Sequence, residues 1–184
     1  MDIKETLIDQ LKKIVQFLNK QKIDYALAGG LAFSALVEPR ATMDIDILIM
    51  IEEQQLPGFT DLLEDEFESI ITHKEPMHFN LIKIWRVINF IDDREMIFDF
   101  ILAESKYHKN VIERAFEIDF FESKLKVITL EDLILLKNCA KRTQDIADLD
   151  KIYEGFDDEI DYGYLKFWSD KLNISLYNSP GDIL

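Results

Sequence analysis

Between residues 3 and 20 apolar side chains return every third or fourth position, at Ile3, Leu7, Leu11, Ile14, Val15 and Leu18. That is the period of an amphipathic helix. "DYALAG" then predicts a short strand ending at Gly29 and Gly30, and "LAFSALVE" a helix starting directly after them. Pro39 in "PRAT" has no amide proton and disfavours helix at the residue before it, so this stretch connects two elements. "DIDILIMI" sets Ile45, Ile47, Ile49 and Ile51 against acidic or long residues, which predicts a strand.

Further along, "TDLLEDEFESI" has helical spacing, while "FNLIKIWRVINF" and "EMIFDFILA" have strand character. The short "IDDR" between them, with Asp92 and Asp93 as turn residues, predicts an antiparallel hairpin. "KYHKNVIERAFEI" predicts a helix and "DFFESKLKVI" a smaller hairpin. From Thr129 the pattern is helical three times over, in "LEDLILLKNCAKR", "TQDIADLDKIYEGF" and "YGYLKFWSDKLN". The expected class is α/β (α+β): a small mixed or antiparallel sheet with flanking helices and C-terminal helices. Residues 1–128 form the α/β core and 129–172 a helical cluster packed on it as a single unit. A loose tail follows at 173–184, containing Ser179-Pro180-Gly181.

Composition narrows the functions. The chain has 184 residues, 48% of them hydrophobic, enough for one domain. No apolar run reaches membrane-spanning length, and the charged N-terminus lacks a signal-peptide core. One cysteine, Cys139, supports no disulfide framework. A cytoplasmic protein with no membrane partner is expected. The formal net charge of −15 repels phosphate backbones and argues against general nucleic-acid binding. His73, His78 and His108 are scattered without metal-ligand spacing.

The candidate chemistry lies in the acids. Positions i and i+2 of a strand share a face, so Asp44 and Asp46 project together, with roughly 6–7 Å between Cα atoms. Such a pair repels unless a cation lies between, and hard oxygen ligands suit magnesium. Taken alone, the pair also fits an exposed strand edge. Asp99 adds a third acid. Ile97 and Ile101 flank it on one face, Phe98 and Phe100 on the other, so its charge needs a metal or a partner. The alternative to metal is an arginine such as Arg40 or Arg86. Because the apolar strand follows Asp44 and Asp46, the order differs from haloacid-dehalogenase-type phosphatases and many glycosyltransferases.

Gly29-Gly30 opens a helix, which suits either a phosphate on the helix N-terminus or simply a tight turn. Lys137 neighbours Leu130, Leu133, Ile134 and Ala140 at helical spacing, so it lies on or beside a buried stripe. There it either meets an anion or snorkels to solvent. Arg142 falls in the turn between two helices. Asp145 and Asp148 sit one turn apart on the next helix, placed to cap it and to hold Lys137 and Arg142. Thr129 and Asp132 form a capping box.

Taken together, "GGLAFSALVEPRATMDIDILI" resembles the nucleotidyltransferase superfamily with its polymerase-β-like fold. The closest resemblance is to the minimal bacterial branch that includes AbiEii-type toxins and antibiotic nucleotidyltransferases. Arg40, Thr42, Asp44, Ile45 and Asp46 match an R-x-T-x-D-I-D signature, and Lys137, Arg142, Asp145 and Asp148 match a downstream helical block. The resemblance spans residues 25–155. Leu31 departs from it, standing where many members carry the serine of a Gly-Ser pair.

The resemblance implies a magnesium-dependent enzyme that moves a nucleoside monophosphate from an NTP to a hydroxyl of a protein, RNA end or small molecule. It also allows a toxin paired with an antitoxin protein. Asp44, Asp46 and Asp99 would be catalytic and hold two metal ions. Gly29, Gly30, Arg40, Thr42, Lys137 and Arg142 would face the nucleotide, with Asp145 and Asp148 in support. The competing reading is a non-catalytic relative that binds a nucleotide or a protein, consistent with Leu31.

Overall fold

The computed structural model describes residues 3–92, 94–121 and 123–178. The expectations for the Ile3 side chain, for Asp93 and for residues 179–184 lie outside the described residues. Among the described residues are seven α-helices and eight strands. In chain order they are α1 (Ile3–Gln21), β1 (Tyr25–Leu27), α2 (Gly29–Leu36), β2 (Asp44–Ile49), α3 (Leu56–Glu66), β3 (Ile70–Thr72) and β4 (Met77–Phe79). Then come β5 (Ile82–Ile91), β6 (Arg94–Leu102), α4 (Lys106–Arg114), β7 (Phe116–Phe120), β8 (Ser123–Val127), α5 (Leu130–Ala140), α6 (Thr143–Phe156) and α7 (Tyr162–Leu172).

All eight strands join one mixed sheet in the order β3-β5-β6-β2-β1-β8-β7, with β4 also on β5. β2 runs parallel to β6, and β1 parallel to β8. Period-two alternation gives the sheet its two faces. One face carries Trp85, Phe98 and Phe100, which interlock with Phe59 and Phe67 in an aromatic cluster. Phe17 of α1 closes that cluster against Phe59 and Phe67. The opposite face carries Asp44, Asp46, Asp99 and Arg86.

Three segments differ from the sequence expectation. α3 ends at Glu66, where Phe67 turns extended, and Ile70–Thr72 pairs with β5 instead of continuing the helix. The run from Phe79 breaks at Asn80, which has φ 49°, so β4 and β5 form a hairpin with Phe79 opposite Ile82. α4 stops at Arg114, and Phe116–Phe120 pairs with β8.

Helix α5 is buried on every side from Glu131 to Cys139, which a helix achieves only when its polar groups are matched. Glu131 meets Arg114 at 3.3 Å and accepts from the Asp161 amide at 3.1 Å. Asp132 accepts from the Tyr164 hydroxyl at 2.7 Å and, as expected of the cap, Thr129 accepts from the Asp132 amide. The Tyr177 amide donates to Asn138 Oδ1 at 2.6 Å and Leu176 is buried, so this part of the described chain past α7 lies against α5. α5 packs on α2, α6 and α7, joining the helical cluster to the sheet.

Candidate active site

One rung of the sheet brings candidate residues from three strands together. Pairing places Arg86 of β5 opposite Asp99 of β6, and Asp99 beside Asp46 of β2. The same rung reaches the residue after β1, where the Ala28 amide, at the N-cap of α2, donates to the Asp46 carbonyl at 2.9 Å. Asp44 lies two residues back from Asp46 on the same face. The three acids singled out in the sequence therefore meet on adjacent parallel strands.

Asp99 has the arginine partner that the sequence left open. Arg86 Nε donates to Oδ1 and Nη2 to Oδ2, both at 2.7 Å, a bidentate pair. The Asp99 side chain is 6% exposed and that of Arg86 31%. The hydrogen bond to Asp99 raises the Arg86 pKa. The sequence offers Arg86 only as one alternative, yet it carries a signal for it. With Ile91 opposite Arg94 across the tight turn, counting back along the hairpin sets Arg86 against Asp99.

Asp46 has no such partner. Burial, then the charges of Asp99 and Asp44, push its carboxyl up to about 6, while Arg142 and a hydrogen bond from the Gly30 amide pull it down. Gly29 explains how that carboxylate fits. Its φ is +58°, and a Cβ there would lie 1.9 Å from Asp46 Oδ2. A Cβ on Gly30 would lie 2.7 Å from Thr42 Oγ1 and 3.0 Å from Arg40 Nη2. The glycine pair thus leaves room for Asp46, Thr42 and Arg40, a steric need that neither the phosphate nor the turn expectation included.

A second network lies beside the acids. Lys137 is 4% exposed and donates to Asp145 at 3.3 Å and to Asp148 at 2.5 Å. It neither snorkels nor offers a free ammonium to a ligand. Arg40 reaches Asp148 at 3.1 Å and lies over the Phe33 ring. Arg142 Nε meets Asp145 at 2.8 Å but is 70% exposed, the open cation of the group. Burial raises Asp145, but the Arg142 hydrogen bond and the Lys137 charge outweigh it, leaving the carboxyl below its ordinary value.

These groups line a cavity of about 520 Å³. Its charged lining residues are Asp46, Asp99, Asp145, Arg86, Lys137 and Arg142. Along β5 and β6 the lining passes from Arg86 and Asp99 to Ile84, Ile82 and Ile101, an apolar end that Met77 and Phe79 of β4 adjoin, together with the polar His78 and Asn80. Arg40, Thr42, Asp44 and Asp148 do not line it. Cys139 does, but burial pushes its thiol up to about 11, which disfavours the thiolate at neutral pH.

The family model described as "Nucleotidyl transferase of unknown function (DUF2204)" matches residues 7–178. The chain belongs to this nucleotidyl transferase family. Its fold is that of solved nucleotidyltransferases. The antibiotic-resistance factor ANT(2'')-Ia superposes with TM-score 0.63 at 12% identity, over 92% of this chain and 94% of that one. An antigenic nucleotidyltransferase-like protein from Paracoccidioides brasiliensis gives 0.57 at 18%, over 80% and 75%. The lincosamide antibiotic adenylyltransferase LnuA, lincomycin-bound, gives 0.53 at 17%, over 78% and 94%. No curated protein matches the chain.

The donor set of this nucleotidyl transferase-family chain suits magnesium in part. Asp44 and Asp46 fit: they are hard oxygen donors on one face, and the missing Cβ of Gly29 makes a cradle for the Asp46 carboxylate. Asp99 fits only by exchanging the Arg86 guanidinium for the ion. Among the described residues, no group of three or more His, Cys, Asp or Glu side chains stands ready to hold a metal. Both Asp99 oxygens are taken up by the Arg86 guanidinium. Among the described residues, no helix is long and apolar enough to cross a membrane.

Proposed function

We propose that this protein is a magnesium-dependent nucleotidyltransferase that moves a nucleoside monophosphate from an NTP to a hydroxyl, working in the cytoplasm. The observation that carries the reading is the rung that sets Asp46 against Asp99 with Asp44 on the same face, inside a chain of this family. When bound, a magnesium ion held by Asp44 and Asp46 supplies the positive charge that neutralises the triphosphate. Asp99, released from Arg86, takes the proton of the attacking hydroxyl. Arg142, exposed and on the cavity wall, faces the anionic nucleotide. Lys137, Asp145, Asp148 and Arg40 keep α5, α6 and the segment before β2 in register around it, a positioning role.

One observation favours a second reading. The bidentate Arg86 grip on Asp99 would suit a relative that binds nucleotide without transferring it. Incubation with each NTP labelled on the α-phosphate, magnesium and a cell extract separates the two. The proposal expects label on an acceptor with the wild type and none with Asp46→Asn. Magnesium-dependent NTP binding without label transfer in any extract would establish the second reading instead.

A further inference from the structure

Resting on the nucleotidyltransferase reading, we propose that the acceptor is a small, uncharged molecule with a mainly apolar body and a hydroxyl group. Three features of the cavity argue for it.

The first is position. Across the sheet the order is β1, β2, β6, β5. Gly29 and Asp46 therefore lie toward one side, where Arg142 also faces Asp46, and the nucleotide's anionic end belongs there. Ile84 and Ile82 extend from Arg86 along the same face of β5, and Ile101 extends from Asp99 along β6. This apolar wall lies on the Asp99 side, where the attacking hydroxyl must arrive.

The second is charge. The chain as a whole is strongly acidic, yet the cavity's three carboxylates, Asp46, Asp99 and Asp145, stand against three cations, Arg86, Lys137 and Arg142. Two of those carboxylates are already paired. A polycation gains little there, and the apolar end offers no carboxylate to hold one.

The third is size and shape. A cavity of about 520 Å³ is of the size that small ligands fill. Leu133 and Leu136 of α5 also line the cavity, and Met77 and the 52% exposed Phe79 of β4 pair with Ile84 and Ile82. An apolar body seated there removes these side chains from water.

The step balances simply. The acceptor hydroxyl loses its proton to Asp99, and its oxygen forms a bond to the α-phosphorus of the NTP. The bond from that phosphorus to the bridging oxygen breaks, and pyrophosphate leaves with the electron pair.

The test uses 2-(2-naphthyl)ethanol as the neutral apolar probe, with the aminoglycoside tobramycin, a tyrosine-containing peptide and an RNA 3′ end as competitors. Binding of the probe and of Mg·NTP is measured by calorimetry on the wild type, Met77→Gln and Ile84→Thr. Both substituted positions are only half-buried, so the fold tolerates the change. The expected result is probe binding weakened about tenfold in both variants, with Mg·NTP binding unchanged within twofold. Label from the NTP should pass to the naphthyl alcohol in preference to the three competitors. Preferred labelling of tobramycin, the peptide or the RNA overturns the proposal. So does a loss of Mg·NTP affinity in the two variants, which would assign the wall to the nucleobase. Failure of the underlying function looks different: the wild type would bind no Mg·NTP at all, whether or not it bound the alcohol.

Discussion

Breaking the Arg86–Asp99 pair from its two ends should cost unequal amounts, and the inequality follows from burial. Arg86→Met keeps the aliphatic stem and removes the guanidinium. It leaves the 6% exposed Asp99 carboxylate without a partner, next to Asp46. Stranding a buried charge in this way costs about 3–5 kcal/mol. Asp99→Asn instead strands Arg86, whose side chain is 31% exposed and recovers water. The amide oxygen still accepts one of the two bonds, and one negative charge leaves the vicinity of Asp46. The net loss should be about 1–2 kcal/mol, the scale of one charge-assisted hydrogen bond partly replaced by solvent. Urea melts in EDTA at pH 8, with m-values checked for constancy, measure both. Arg86→Met should be the weaker fold by about 2 kcal/mol. Magnesium should then raise its midpoint more than that of the wild type, because Asp99 is free to join Asp44 and Asp46. Equal losses, or a net gain in Asp99→Asn, would refute the reasoning.

Three further outcomes follow from the same geometry. Gly29→Ala must hold a left-handed φ and push its Cβ onto Asp46 Oδ2, so urea melts should show a loss of about 1–3 kcal/mol; a neutral effect would mean the carboxylate is not seated there. Lys137→Met leaves Asp145 and Asp148 with only their outer partners and should cost about 3 kcal/mol, whereas Lys141→Gln on the exposed C-cap should change stability by about 0.5 kcal/mol or less; equal effects would contradict the buried network. Burial lowers the His108 pKa to about 4 from an ordinary 6.5. The unfolded chain therefore binds a proton that the folded one does not between those values, and stability falls as pH drops through that window. His108→Gln should flatten the slope there by up to about 1.4 kcal/mol per pH unit, and an unchanged slope in pH-dependent melts would exclude His108 as its source.

Much of the frame was legible because it follows from periodicity. The i, i+2 spacing of Asp44 and Asp46 and the apolar neighbours of Asp99 placed all three on strands, and the sheet brings them to one face. α6 has the bounds that its apolar spacing predicted. The misread segments had local signals overruled by longer patterns. In β7, Phe116, Ile118 and Phe120 alternate with Glu117 and Asp119, but the preceding helix masked the change of period. Asn80 marked a turn that the apolar run around it obscured. What stayed out of reach were partners distant in sequence. The one-turn spacing of Asp145 and Asp148 did suggest that they hold Lys137, but the reach of Arg40 to Asp148 depends on how α6 folds back against the segment before β2. Gly29 reads as a flexible turn until the neighbouring strand brings the Asp46 carboxylate against it.

The proposed function requires the rung of acids to bind a nucleotide through a divalent ion. Calorimetric titration of the metal-stripped protein with ATP, GTP, CTP and UTP, each in EDTA and in magnesium, tests it most directly. At least one NTP should bind in magnesium and not in EDTA, and Asp46→Asn should lose that binding while staying folded. Failure of magnesium to enhance the binding of any of the four, or full binding by Asp46→Asn, would contradict the account.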